Sequence, residues 1–510
     1  MSKLKLIKST GVIGAATGLS RVLGFVRDIV IANFFGTALY AQAFVVAFRI
    51  PNLLRDLIGE GAANSAFVPV LTEELTRNGK KDFFKLAQVL FNIMVIALAV
   101  LTVIGVIAAP LIVRLIAPGF CVDKAKFDIT VTLTRCLFPF LFLVGLWAYA
   151  MGVLNSLSHF AGPAFGPCAL NFSMILCASF FGENVFGLTA GVLAGGFLQL
   201  AIQMPPLYRN GWRFRLTGEF THPKAKKMAI LLVPRALGAC VYQINVFIST
   251  ILASFSSIVG DGAVAALYYA NRIWQLPLAI FGIALAQAAL PAMSRHAAMN
   301  DMEKLKETLT FSLKILFFIL IPATIGLMVL SGPITKVLFE RGAFTSYSTL
   351  ITKDALFFYA IGLIACGGIK ILVSAFYSMH DTATPVKAAV ASLALNIILN
   401  LLLMRPLKAG GLALASSISA IFNFAMLYYF LKERLGAIGT KSIADSFIRV
   451  LLAGIVMGVI LKTATGFMGS ITPLSLVLSI ILSIVVFFLA SLVFDVRELK
   501  EVIAWITKKR

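Results

Sequence analysis

Residues 474–494 read Leu474-Ser-Leu-Val-Leu-Ser-Ile-Ile-Leu-Ser-Ile-Val-Val-Phe-Phe-Leu-Ala-Ser-Leu-Val-Phe494, without a single charge. A helix needs about 20 mainly apolar residues to cross the hydrocarbon core of a bilayer, so this stretch reads as a membrane span. Working outward from it, runs of the same kind recur near 10–34, 38–71, 86–113, 129–154, 160–181, 185–207, 228–255, 262–293, 309–331, 351–378, 384–404, 410–431 and 445–463. Together they predict an all-α polytopic membrane protein of about 14 transmembrane helices. Composition agrees. Of 510 residues 60% are hydrophobic and only 13% are charged, with a mean hydropathy of +0.95, whereas a soluble domain carries about 25% charged residues. Three lysines precede the first run, as in a secretory signal. That run also holds Arg21, Arg27 and Asp28, so an uncleaved first helix is the expectation.

The net charge is +22. In a soluble chain that would point to nucleic acid, but here no basic segment is long enough to form a separate face, and no nucleic-acid partner is predicted. The basic residues fall in alternate connections: Lys3, Lys5 and Lys8; Arg77, Lys80, Lys81 and Lys85; Arg209 to Lys227; Arg295 to Lys306; Lys432 to Lys441; and the last turn of the chain. The connections after the first, fifth and seventh runs have no Lys or Arg. The positive-inside rule then puts both termini in the cytoplasm, and an even number of spans agrees by putting them on one side.

The chain also repeats. Arg21-Val-Leu-Gly24 pairs with Arg235-Ala-Leu-Gly238, Arg49-Ile50 with Arg272-Ile273, Pro110 and Gly119 with Pro333 and Gly342, and Ser156 and Pro163 with Ser378 and Pro385. The four pairs keep chain order at nearly one offset. The repeat unit holds six spans, which predicts two pseudo-symmetric six-helix lobes of the same orientation (1–222 and 223–440) and two additional helices (441–510). Such pairs of bundles suit alternating access around a central site. The last two spans are almost purely aliphatic, which fits lipid-facing helices or a groove for a lipid tail.

Charges inside spans single out the candidate site. An arginine at a helix centre costs about 2.5–3.5 kcal/mol on insertion scales, and such residues face a bundle interior or a wet cavity. Arg21 lies roughly 16 Å into its span at 1.5 Å per residue, near the midplane, and Arg272 lies at similar depth. Arg27, Arg49 and Arg55 complete the set, with the acids Asp28, Asp56 and Glu60 beside them. Asp28 is seven residues from Arg21 and so shares its helix face. The acids neutralise part of this charge, yet the arginines outnumber them. An unpaired buried cation is costly, and a planar guanidinium fork matches phosphate, so a phosphate-binding, water-filled cavity between the bundles is predicted. Arg135 and Arg235 read as interface anchors. Arg49 to Gly61, with a proline and two glycines, reads as a broken part of the second span. Gly14 and Gly18 read as a close-packing GxxxG.

Other chemistry is not indicated. No Walker A, GxSxG, HExxH or kinase motif is present, the four histidines have no zinc spacing, and the six cysteines are scattered. No enzyme, cofactor or metal site is expected.

Several stretches resemble the MurJ/MviN family: Ser20-Arg-Val-Leu-Gly-Phe-Val-Arg-Asp28, Ala47-Phe-Arg-Ile-Pro-Asn-Leu-Leu-Arg55, Gly59-Glu-Gly-Ala62, Ala117-Pro-Gly-Phe120, Tyr268-Tyr-Ala-Asn-Arg272, and Phe376-Tyr-Ser378 with Thr384-Pro385. The resemblance runs in order over most of the chain. It implies a lipid II flippase of the multidrug/oligosaccharidyl-lipid/polysaccharide exporter superfamily in the bacterial cytoplasmic membrane, acting in peptidoglycan synthesis. It also implies that Arg21, Arg27, Arg55 and Arg272 are the cavity arginines, Glu60 a cavity glutamate, and the last two helices the groove for the undecaprenyl tail. Gln42, Asn271 and Gln275 depart from the family by standing where many members have acids, and Asp56 stands where some have an arginine. Coupling to the membrane potential or to a monovalent cation is the implied drive, and cell-wall synthesis enzymes are implied partners. The competing readings are a flippase for another polyprenyl-linked glycan, a multidrug antiporter (which should favour cavity acids), and a non-transporting cell-wall scaffold.

Overall fold

A computed structural model describes residues 3–55, 67–213, 220–225, 228, 243–467 and 472–500. Asp56, Glu60, Arg235 and the Gly59–Ala62 motif lie outside them. Among the described residues the chain is helical, with no strand. Among the described residues nine helices are long and apolar enough to cross a membrane, or ten if one bent pair counts as a single span. The chain divides into two compact units, residues 1–255 with 341–344, and residues 256–340 with 345–510.

The first unit contains α1 (Lys3–Phe35), α2 (Leu39–Arg55), α3 (Val68–Ile116), α4 (Lys124–Ser156), α5 (Ala161–Phe181), α6 (Val185–Arg209) and α7 (Gln243–Ala253). Small residues let these helices approach. Gly187, Gly191 and Gly195 line one face of α6; a Cβ at Gly191 would lie 2.9 Å from Cys177 Cβ, and one at Gly195 2.7 Å from Leu170 Cδ1. Ser173 Oγ donates to the Gly191 carbonyl at 2.9 Å across the same seam. This is the small-residue packing seen when helices have no hydrophobic drive to associate in lipid. Gly14 and Gly18, by contrast, are exposed and a Cβ at either meets nothing within 4 Å. The packing role expected for that pair is not observed; the stripe on α6 fills it.

Two boundaries differ from the sequence reading. The helix expected over 38–71 ends its described part at Arg55 and stays helical through Pro51, so the proline does not break it. The basic residues Arg77 to Lys85, read as a loop, lie inside α3, which is interrupted only at Gly79 (φ 81°, ψ −175°). Glu74 on that first stretch is buried and paired with Lys224, and Asn78 donates to it at 2.8 Å. The bond from Asn78 and the Lys224 ammonium hold its carboxyl below the ordinary carboxylate range. These contacts let polar sequence continue as helix before the apolar span begins.

Residues 341–344 pack as part of the first unit. Ala343 N donates to the Asn33 carbonyl at 2.8 Å. Gly342 (φ 54°) would place a Cβ 2.4 Å from that same oxygen. Gly119, its partner in the sequence repeat, is equally tight: its Cβ would lie 2.2 Å from the Ser254 carbonyl oxygen, and its N–H donates to Ser254 Oγ at 2.9 Å.

The second unit contains α8 (Ser256–Val259), α9 (Ala263–Pro277), a π-helical turn (Leu278–Ile283), α10 (Ala284–Ala298), α11 (Met302–Val329), α12 (Ser331–Phe339), α13 (Ser346–Ile361), α14 (Leu363–Ser378), α15 (Ala383–Leu435), α16 (Thr440–Phe467) and α17 (Pro473–Val493). Its core is built on the stripe Leu305, Leu309, Leu313, Leu316 and Leu320 of α11, recurring every three or four residues. Val450, Ala453 and Met457 of α16 and Phe487 and Ala490 of α17 join the same core, so the last two helices belong to this unit. The outer face of α17, from Val477 through Ile481, Val485 and Leu492, is exposed and aliphatic, as a lipid-facing surface requires. The two spans expected at 384–404 and 410–431 are joined in α15, whose only non-helical residue is Lys408 (φ 50°). The span expected at 351–378 is the bent pair α13 and α14, with a 42° change of direction at Gly362, where a Cβ would lie 2.8 Å from Ser417 Cα.

Candidate functional site

The candidate cations of the first unit sit on α1 and α2. Arg27 and Asp28 are 7% and 2% exposed. Arg27 donates from Nε and Nη2 to Asp28 Oδ1, at 3.0 and 2.7 Å, and from Nη1 to Asn171 Oδ1 of α5 at 2.9 Å. Burial and pairing go together, since a buried charge persists only when paired and hydrogen-bonded. Asp28 therefore serves its neighbour. The shared face expected to bring it to Arg21 does not do so, because Arg21 is exposed and makes no hydrogen bond or ion pair among the described residues. The two arginines of one helix thus hold different positions: one locked into the α1–α5 seam, one presented outward two turns earlier.

On α2, Phe48 packs on Phe44 (ring centroids 5.6 Å apart) and on Phe140 of α4 (5.8 Å), which fixes the turn carrying Arg49. Arg49 and Arg55 are half-buried and both are engaged in further polar contacts. Arg55 is the last described residue of this helix. Gln42, in place of a family acid, is buried.

In the second unit, Arg272 is half-buried on α9. Its guanidinium lies 4.9 Å over the ring of Tyr268, one turn earlier, and Nη2 donates to Tyr268 Oη at 3.3 Å. Tyr269 is buried against Phe339, so the Tyr-Tyr pair points one ring into the core and one at the arginine. Gln275 Nε2 donates to Asn271 Oδ1 at 2.5 Å. The two neutral residues that replace family acids thus satisfy each other rather than facing Arg272 with charge. Lys370 is exposed on α14, and Arg135 is exposed on α4.

Sequence reasoning passed over Asn171, a partner that reaches Arg27 from another helix. The signal was an amide in the otherwise apolar stretch 161–181. Among the described residues no group of three or more His, Cys, Asp or Glu could hold a metal ion.

An all-helical membrane chain with arginines set into its spans is a transporter fold, and solved structures agree. An inward-facing multidrug resistance MATE family transporter of the MOP superfamily superposes with a TM-score of 0.69 over 83% of this chain and 96% of its own, at 14% identity, a likeness of fold alone. A structure titled lipid II flippase MurJ, inward closed conformation, aligns with a TM-score of 0.81 over 96% of this chain and 99% of that one, at 26% identity. The family model described as lipid II flippase MurJ matches residues 31–492. Curated relatives include a probable lipid II flippase MurJ of Rhizobium tropici, 35% identical over 89% of this chain and 86% of its own. Another, of Vibrio cholerae, is 36% identical over 83% and 82%. The lipid II flippase MurJ of Burkholderia cenocepacia is 34% identical over 84% of each. The chain belongs to the MurJ family.

Proposed function

We propose that this protein flips lipid II from the inner to the outer leaflet of the cytoplasmic membrane by alternating access. Family membership supports the cargo, and Arg21, exposed with no ion pair among the described residues, is the observation that carries the site. A guanidinium in a membrane helix is costly unless it meets water, an anion or a protein partner. A pyrophosphate offers it parallel hydrogen bonds. Arg27, held in place by Asp28, Arg49 and Arg55 are the further cations proposed in the first unit and Arg272 the one in the second, and the family resemblance adds Glu60. The polyprenyl tail stays in lipid, against the aliphatic α16–α17 pair. No bond is made or broken; the protein supplies a polar route for a headgroup that would otherwise cross hydrocarbon. Both termini lie in the cytoplasm. The membrane potential or a monovalent cation resets the carrier, moving one charge across 100 mV being worth about 2.3 kcal/mol.

The test is complementation of cells depleted of their own flippase, with wild type, Arg21→Ala and Arg272→Ala at matched membrane levels. Lipid II exposed on the outer leaflet is counted by cleavage of its headgroup. Exposure restored by wild type and lost in both variants supports the reading. Restoration by all three removes the arginines from the site, and failure of well-expressed wild type points to another cargo.

A further inference from the structure

Asn171 of α5 is 7% exposed and holds α1 at two points. Its Oδ1 accepts from Arg27 Nη1 at 2.9 Å, and its Nδ2 donates to the Ser20 carbonyl oxygen at 3.0 Å. The two bonds use opposite ends of one carboxamide. Turning the amide over would set donor against donor and acceptor against acceptor, so the arrangement has one orientation. Gly24 faces it: a Cβ there would lie 3.4 Å from Asn171 Nδ2, in ordinary van der Waals contact. Asp28 takes the Nε and Nη2 edge of Arg27 while Asn171 takes Nη1. The guanidinium is planar, so bonds to all three nitrogens fix its plane.

We infer that Asn171 is the positioning residue for Arg27. It sets the plane in which the guanidinium meets an anionic headgroup, and its bond to the Ser20 carbonyl fixes the carboxamide that does so. The inference rests on the reading of Arg27 as a substrate-binding cation. Asparagine suits the role because its planar carboxamide holds a donor and an acceptor side by side, one for each partner. Leucine matches its volume and supplies neither, and aspartate would set an oxygen against the Ser20 carbonyl.

The experiment is a double-mutant cycle on the full chain in nanodiscs, measuring lipid II affinity for wild type, Asn171→Leu, Arg27→Gln and the double variant. Asn171→Ala stands in if the leucine variant does not reach the membrane. Losing the bond that aligns a charged group should weaken binding by about tenfold in the wild-type background and change little once Arg27 is gone, because residues that act as a unit are not additive. Equal weakening in both backgrounds makes Asn171 a packing residue only and overturns the inference. If Arg27→Gln weakens binding and Asn171→Leu does not, the inference fails while Arg27 keeps its role. If Arg27→Gln binds as wild type, the reading of Arg27 itself fails, and the inference with it.

Discussion

Two charged residues seven positions apart on α1 should respond to truncation in opposite ways. Asp28 is 2% exposed and takes two bonds from Arg27, which is itself 7% exposed. Asp28→Ala strands a buried guanidinium, and breaking a buried pair from one side costs about 3–5 kcal/mol. Asn171 still accepts from Nη1, which favours the lower end, about 3 kcal/mol. Arg21 is exposed with no ion pair among the described residues, and alanine is the best helix former, so Arg21→Ala should stay within about 0.5 kcal/mol of wild type. The assay pairs heat or denaturant unfolding of detergent-purified full chain with the count of outer-leaflet lipid II. Asp28→Ala should unfold earlier and lose part of its activity through lower abundance. Arg21→Ala should unfold with wild type yet lose flipping. A stable Asp28→Ala, or an Arg21→Ala as destabilised as its neighbour, would refute the division of α1 into an internally paired cation and a presented one.

Gly342→Ala should loosen the docking of residues 341–344. The positive φ alone costs about 1–2 kcal/mol for an L side chain, and the added carbon meets the Asn33 oxygen at 2.4 Å; the Ala343 amide should exchange with deuterium about tenfold faster or more, and an unchanged rate would count against the contact. Asp381 accepts from the Thr384 amide at 3.0 Å, the Thr384 hydroxyl at 2.8 Å and Arg434 Nη1 at 2.6 Å. The Thr384 amide, followed by its hydroxyl and Arg434, holds the carboxyl below its ordinary range. A depressed carboxylate stabilises fully above the unfolded value and loses that contribution as pH falls through the folded one. The melting temperature should therefore drop on acidification below about pH 4, less steeply in Asp381→Asn; equal slopes would remove Asp381 from the acid response.

Much of this molecule was legible in one dimension because a bilayer is an unforgiving solvent. An uncharged run such as 474–494 has few fates, and an arginine in a span advertises its own cost, so α17, α11 and the positions of Arg21, Arg27 and Arg272 could be read from composition and spacing. Periodicity could not say what an amide or a glycine touches. Two GxxxG-type patterns are equal in sequence, yet the one at Gly191 and Gly195 meets α5 within 3 Å while Gly14 and Gly18 meet nothing. Seven-residue spacing put Asp28 and Arg21 on one face, but the long arginine side chain lets Arg27 reach its immediate neighbour, and a contact of 2.7 Å outweighs shared azimuth. Pro51 looked like a break because proline removes an amide donor, whereas the helix continues through it. By itself the sequence determined the solvent, the all-helical class and the residues whose charge demands a reason. Tertiary structure decided which of those charges are already answered inside the protein, because that depends on a partner 144 residues away in the chain that no local pattern encodes.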